Sequence, residues 1–250
     1  MTLIGLSGTA WGGAALDDAG SPQRTTDPNA SPDTPATAEP KLEYGVDIRL
    51  RHVMIPQGLV ELFVERAAGG SGNNGIGLDL VRRRGNLELQ LGFEFEHIEP
   101  GEGVWINKGD NVAGGDEADY IISAEHAGKS LGWFTLEFTF LNHAPINKYL
   151  AVRYGGGAGI GIITGELQHY DVICNGATNG NPEPGCVPPA FGGTPQSSTG
   201  PVAYDFPPIF PVVNAIIGLQ IRPAPKATIN IEGGIRTVPF IGISAGYFFN

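Results

Sequence analysis

Apolar and polar residues alternate at a period of two in several separate stretches of this chain. In the clearest, Leu87, Leu89, Leu91, Phe93 and Phe95 interleave with Glu88, Gln90, Gly92, Glu94 and Glu96. That spacing puts the two sets on opposite faces of a strand, and no helix reproduces it. The final forty residues repeat the pattern. Ile229, Ile231, Ile235, Ile241, Ile243, Tyr247 and Phe249 fall on one side; Thr228, Asn230, Glu232, Gly234 and Arg236 fall on the other side of the first of these two strands. Together with these last two, strands are expected over about 42–53, 74–83, 86–98 (the clearest stretch above), 131–141, 149–167 and 212–222, eight in all.

The connections alternate in length. Short ones are expected around Arg84 and Gly85, over 142–148 and over 223–226; long ones over 55–73, 99–130 and 168–211, with only the last hairpin tight near Val238 and Pro239. An even strand count returns both chain ends to the short-turn side. This arrangement is the signature of a closed antiparallel eight-stranded transmembrane β-barrel, with its long loops extracellular and its termini periplasmic.

Alternation alone does not say which face meets solvent, because a soluble ligand-binding barrel would show the same period with inverted polarity. Three features favour lipid. Lys41, Lys108, Lys129, Lys148 and Lys226 all lie at strand margins or in loops. Tyr44, Phe140, Tyr247 and Phe249, with Phe93, Phe95 and Phe134 higher up, sit where an interfacial aromatic girdle belongs. The strands are also long enough to cross a bilayer at a barrel's tilt. The polar face then becomes a packed interior. Arg49, Arg51, Arg153, Arg222 and Arg236 are its expected cations; Asp47, Asp79, Glu88, Glu94, Glu96, Glu137, Glu166 and Glu232 are its expected anions. Buried charges of this kind persist only when paired and hydrogen-bonded.

Composition narrows the picture. The 250 residues carry a net charge of -11, which argues against nucleic acid as a partner. The 38 glycines follow no collagen period, and no run of eighteen apolar residues marks a transmembrane helix. Residues 1–15 read either as an atypical or truncated signal segment or as an unordered start, because no Lys or Arg lies near Met1. Residues 16–40, dense in Ala, Asp, Pro, Ser and Thr, are expected to form a disordered leader, leaving 41–250 for the barrel. Cys174 and Cys186 suit a disulfide closing a small loop in an oxidising compartment, with two separate thiols as the alternative.

Three short motifs stand out: Arg51-His52-Val53-Met54-Ile55-Pro56 followed by Gly58-Leu59; Val81-Arg82-Arg83-Arg84-Gly85-Asn86; and Pro145-Ile146-Asn147-Lys148-Tyr149-Leu150-Ala151 leading to Arg153-Tyr154-Gly155. On these the chain resembles the small outer-membrane β-barrel proteins of myxobacteria and related deltaproteobacteria, over 41–250. The resemblance implies a barrel in the outer membrane and carries over no catalytic residue.

Candidate chemistry is sparse. Ile55–Arg66 reads as a short amphipathic helix at the rim or as a bent strand extension. Asp110, Asp116, Glu117 and Asp119 form an acidic cluster whose spacing does not match an EF-hand, so a solvated loop is the expected account. For nucleophilic catalysis the histidines offer His52 with Glu65, His97 with Glu96, and His126 with Ser123 and Glu125; His143 and His169 with Asp171 lie elsewhere. None belongs to a recognisable nucleophile motif. The expectation is a non-enzymatic barrel without cofactor or metal, in contact with outer-membrane lipids and with an extracellular or envelope protein partner. Its expected role is structural, adhesive or surface-interactive. A lipid-modifying enzyme, a small-solute pore and a soluble ligand-binding barrel are the alternatives.

Overall fold

The computed structural model describes residues 40–205 and 207–249. The signal segment expected at 1–15 and nearly all of the leader expected at 16–40 lie outside the described residues. In chain order the strands are β1 (Leu42–Ile55), β2 (Val64–Arg66), β3 (Ser71–Arg84), β4 (Leu87–His97), β5 (Gly103–Asn107), β6 (Glu117–Ile122) and β7 (Leu131–Pro145). They continue as β8 (Leu150–Gly165), β9 (Gln168–Ile173), β10 (Ser197–Ser198), β11 (Val202–Ala203), β12 (Ile209–Ala224), β13 (Ala227–Arg236) and β14 (Val238–Phe248). Single helical turns occur at Gln57–Val60 (α1) and Ala124–Ala127 (α2).

The long strands form a closed antiparallel barrel in the order β1-β14-β13-β12-β8-β7-β4-β3. Closure is made by β1, which pairs with β3 on one side and with β14 on the other, from Gly45 opposite Phe248 to Val53 opposite Phe240. A closed ladder leaves no unpaired strand edge, which hydrocarbon would penalise by several kcal/mol per orphaned group. Several strands outlast their apolar stripes. β3 starts at Ser71 because Ile55 pairs with it, and β12 starts at Ile209 because it pairs with Ile162. Neighbouring strands extend the ladder where side-chain patterning has already faded.

The polarity is that of a membrane protein. Outward-facing Leu50, Ile217 and Ile231 are 54%, 64% and 53% exposed, whereas Glu94 and Arg153 are each 1% exposed. Such a surface of Ile, Leu, Val and Phe is unfavourable in water by about 25 cal/mol per Å² and is satisfied by acyl chains. This arrangement contradicts the soluble-barrel alternative, whose apolar face would point inward.

Room for the inner charges comes from glycines placed across the ladder. Arg51 faces Gly75 on β3 and Gly242 on β14, and Glu137 faces Gly92 on β4 and Gly159 on β8. A Cβ on Gly92 would come within 2.6 Å of Asp79 Oδ1 and 3.0 Å of Arg49 Nη2, so a larger residue there would displace the ion pair. The interior also holds hydrocarbon: Val53, Leu141, Ile216 and Phe240 form a small buried cluster among the polar side chains.

The three long connections are not the irregular loops that their composition suggests. They build a second sheet, β10-β9-β6-β5-β2, with β11 also pairing to β9. Its core includes Val104, Ile106, Ala118, Tyr120, Val172 and Val187, packed with Cys174 and Cys186. These two cysteines are joined as a disulfide, with Cα atoms 4.4 Å apart. The segment expected to be either helix or strand extension is both in part, with one helical turn in α1 followed by the three-residue β2.

Candidate functional site

Two regions concentrate polar chemistry: the barrel interior and the cap sheet on the long-connection side. In the interior, alternation on β1, β3, β4, β7, β8 and β13 turns every second side chain inward, and most of those that carry charge join one network. Glu94 is its hub. Its Oε2 lies 2.7 Å from Arg49 Nη2 and 3.0 Å from Arg51 Nη1, and its Oε1 lies 3.6 Å from Arg236 Nη1. From there the pairing runs in both directions. Arg49 reaches Asp79 at 3.1 Å, and Arg51 reaches Glu232 at 3.2 Å. Arg153 bridges Glu232 at 3.3 Å and Glu88 at 3.2 Å, and Glu88 also takes Arg83 and, at 3.1 Å, His143 Nε2. Toward the long-connection end, Arg236 pairs with Glu96 at 2.7 Å and with Glu137, while Trp133 Nε1 donates to Glu96.

Most of the interior set expected from alternation is therefore brought together, with three exceptions. Asp47 is buried but accepts from Asn230 Nδ2 at 3.2 Å and joins no ion pair among the described residues. Its cross-strand neighbour Asp79 takes Arg49 instead. Arg222 is half-buried and donates to Gln220 Oε1 at 3.1 Å, because Glu88, the carboxylate at that end, is already shared by Arg83, Arg153 and His143. Glu166, expected inside, lies beyond the end of β8 and pairs with Lys129 at 2.6 Å on the surface. Two participants escaped the sequence reading, Arg83 and His143. Both occupy the inward parity of their strands, so extending the alternation to the strand ends would have found them.

The network also decides whether the barrel is open. A water-filled lumen would leave inner side chains accessible. The side chains of Arg51, Arg153, Glu94 and Glu232 are instead 0–2% exposed. Phe240 and Phe248 close the remaining space, each with an arginine carbon 4.2 Å above its ring, Arg51 and Arg83 respectively. The interior is a dry plug.

Above the plug, at the barrel mouth, lies an apolar cavity of about 330 Å³ lined by Trp105, Leu131, Trp133, Ile163, Leu167 and Phe210 among others. Trp133 and Phe210 stack at 4.8 Å in its wall. Its wall is mostly hydrocarbon and carries no charged side chain; Thr237 and the Trp105 indole N–H, which has no hydrogen-bond partner among the described residues, are its polar groups.

The candidate catalytic groups are dispersed over barrel strands and cap. His52 contacts Asn74 at 2.9 Å rather than Glu65, and His97 packs edge-on against Phe95 while Glu96 turns into the barrel. Ser123 and His126 do meet, at 3.1 Å, but the acid beside them is Glu102 and not Glu125. Both Ser123 Oγ and Glu102 Oε2 address the same ring nitrogen, Nδ1, at 3.1 and 2.6 Å. A nucleophile–base–acid relay needs the two ring nitrogens to face different partners, so no such relay forms here. The acidic cluster is likewise split. Asp116 accepts from the Asn111 backbone N–H at 2.7 Å and closes a turn, whereas Asp119 lies in β6 against β9, facing Asp171.

Fold and interior define a membrane-spanning barrel with a sealed core and a folded cap. No protein-family model and no curated protein sequence matches this chain. Among solved structures, it is similar to Ail, the attachment invasion locus protein of Yersinia pestis, at 11% identity and a TM-score of 0.39, covering 84% of this chain and 99% of that one. A likeness to Neisserial surface protein A has 7% identity and a TM-score of 0.39, covering 83% and 97%. A more distant one to an outer-membrane channel of Pseudomonas putida has 10% identity and a TM-score of 0.26.

Two predictions follow from this geometry. Glu94→Ala takes a shared carboxylate away from three buried arginines, leaving each with fewer partners, and is expected to cost about 3–5 kcal/mol, measured by urea unfolding of the barrel in lipid vesicles. Arg222→Ala should cost far less, and equal losses would contradict the hub role of Glu94. At the exposed pair, the hydrogen bond and charge of Glu102 raise the His126 pKa above 6.5. Partial burial alone would raise the Glu102 carboxyl, but hydrogen bonds from His126 and the Ser123 backbone N–H outweigh it and hold it below its ordinary range. The histidine's contribution to stability is thus full below its unfolded pKa and lost as pH rises through the raised value. The carboxylate's is lost as pH falls through its lowered one. NMR titration should find His126 titrating above pH 6.5 and returning toward that value in Glu102→Gln; an unshifted His126 in the wild type would contradict the pairing.

Proposed function

We propose that this chain is a bacterial outer-membrane barrel whose cap sheet is an extracellular contact surface, serving adhesion or envelope structure rather than transport or catalysis. The single observation that carries this reading is the cap itself. Three connections separated in sequence fold into one sheet with its own core and disulfide, an investment that a simple anchor would not need. In this orientation the short turns and both termini of the barrel chain face the periplasm, and the disulfide lies on the oxidising outside.

The cap's charge supports a class of partner. Across 56–70, 98–130 and 166–208 the only Lys or Arg residues are Arg66, Lys108 and Lys129, against a several-fold excess of carboxylates. Such a field attracts cationic surfaces and repels polyanions, and its reach falls with salt. The dry interior weighs against the pore alternative.

The test uses the full chain expressed in the outer membrane of a Gram-negative host. A membrane-impermeant thiol reagent should label Asn179→Cys in intact cells and leave Asn147→Cys, in a short turn, unlabelled until the membrane is opened. Cells carrying the protein should attach to an amine-coated surface more than empty-vector cells, and lose that gain at high salt. Labelling of Asn147→Cys alone would overturn the orientation, and attachment unaffected by the protein would overturn the contact role.

A further inference from the structure

The cap sheet sets two carboxylates directly against each other. Asp119 on β6 and Asp171 on β9 are cross-strand partners, and His169, opposite Ile121, shares their face two residues away. Like charges facing across a ladder destabilise it, so their persistence here calls for a compensating charge. One atom from each of the three side chains lies within 4.8 Å of the other two. His169 Nε2 is 2.8 Å from Asp171 Oδ1 and 3.9 Å from Asp119 Oδ1.

The remaining oxygens are tied down from outside. The Tyr204 hydroxyl donates to Asp119 Oδ2, and Thr199 Oγ1 donates to Asp171 Oδ2 at 3.4 Å. The Tyr204 ring stacks on the imidazole, 4.0 Å between centroids and 27° between planes, which fixes the ring's orientation. Each carboxylate therefore presents Oδ1 inward while a hydroxyl holds its Oδ2, the outer-sphere arrangement that orients metal ligands. His169 is only 9% exposed, and its Nδ1 has no hydrogen-bond partner among the described residues, so the buried ring is engaged only through Nε2, the nitrogen that faces the two carboxylates.

We propose that Asp119, His169 and Asp171 form a binding site for a divalent transition-metal ion of the zinc class. One imidazole nitrogen with two carboxylate oxygens suits such an ion and leaves a fourth position for water, whereas calcium and magnesium favour all-oxygen sets. The ion would replace the repulsion between β6 and β9 with a clamp. Through Tyr204, which follows β11, it would join parts of the cap that are far apart in sequence. The proposal does not depend on which side of the membrane the cap faces.

The test uses the full chain in detergent, stripped with a chelator and titrated with Zn²⁺ against a fluorescent competitor. The wild type is expected to take up about one equivalent, with affinity reduced roughly tenfold or more in Asp119→Asn and His169→Gln, and unchanged in Asp116→Asn. Co²⁺ should give visible absorption bands with the wild type and lose them in Asp171→Asn. An intact Cys174–Cys186 disulfide and heat-modifiable migration verify that each variant is folded. Should His169→Gln misfold, the isosteric asparagine variants decide. Absence of Zn²⁺ uptake by the wild type, or wild-type affinity in both folded asparagine variants, would overturn the proposal.

Discussion

Glu94 faces three guanidinium groups in a space that excludes water, and the rest of the barrel is arranged so that this is tolerable. A charge moved from water into a dry interior loses several kcal/mol of solvation, and only close, hydrogen-bonded partners restore it. Arginine suits the task because one planar fork spans two carboxylates. Arg49 bridges Asp79 and Glu94, Arg51 bridges Glu94 and Glu232, and Arg153 bridges Glu88 and Glu232. A lysine, with a single point charge, would join fewer of them. The glycines across the ladder are part of the same solution, since they leave the volume into which these side chains reach.

The lipid-facing surface and the plug are two sides of one constraint. Strands in hydrocarbon must close on themselves, an eight-stranded cylinder is narrow, and alternation sends half its residues into that narrow space. The outward half is aliphatic because it meets acyl chains. The inward half must seal, and it seals by ion pairs supplemented by Phe240, Phe248 and a little hydrocarbon. The cap then adds what the barrel lacks, a water-facing surface with a core of its own, held by a disulfide and carrying most of the chain's excess negative charge.

The eight barrel strands were legible because a period of two over ten or more residues has one structural meaning. Strand ends were less so: Ser71 and Ile209 are in strands only because Ile55 and Ile162 lie opposite them. Membership of the inner face was readable, but partnership was not. Nothing in sequence says that Asp79 rather than Asp47 takes Arg49, or that Glu88 is already shared before Arg222 can reach a carboxylate. The cap was invisible for a related reason. Its strands run to six residues at most, are rich in Gly, Asn and Pro at their borders, and find partners scores of residues away, as β6 finds β9. Asp119 looked like one more member of an acidic loop until that pairing set it beside His169 and Asp171.

The most direct test of the account is the accessibility of spin labels in lipid bilayers, with Ile231→Cys as the outward site and Ser244→Cys as the inward one. The account predicts that the label at 231 is relaxed by membrane-dissolved oxygen and shielded from a water-soluble nickel chelate, while the label at 244 is reached by neither and is strongly immobilised. A label at 231 reached freely by the nickel chelate, with one at 244 relaxed by lipid-borne oxygen, would contradict it.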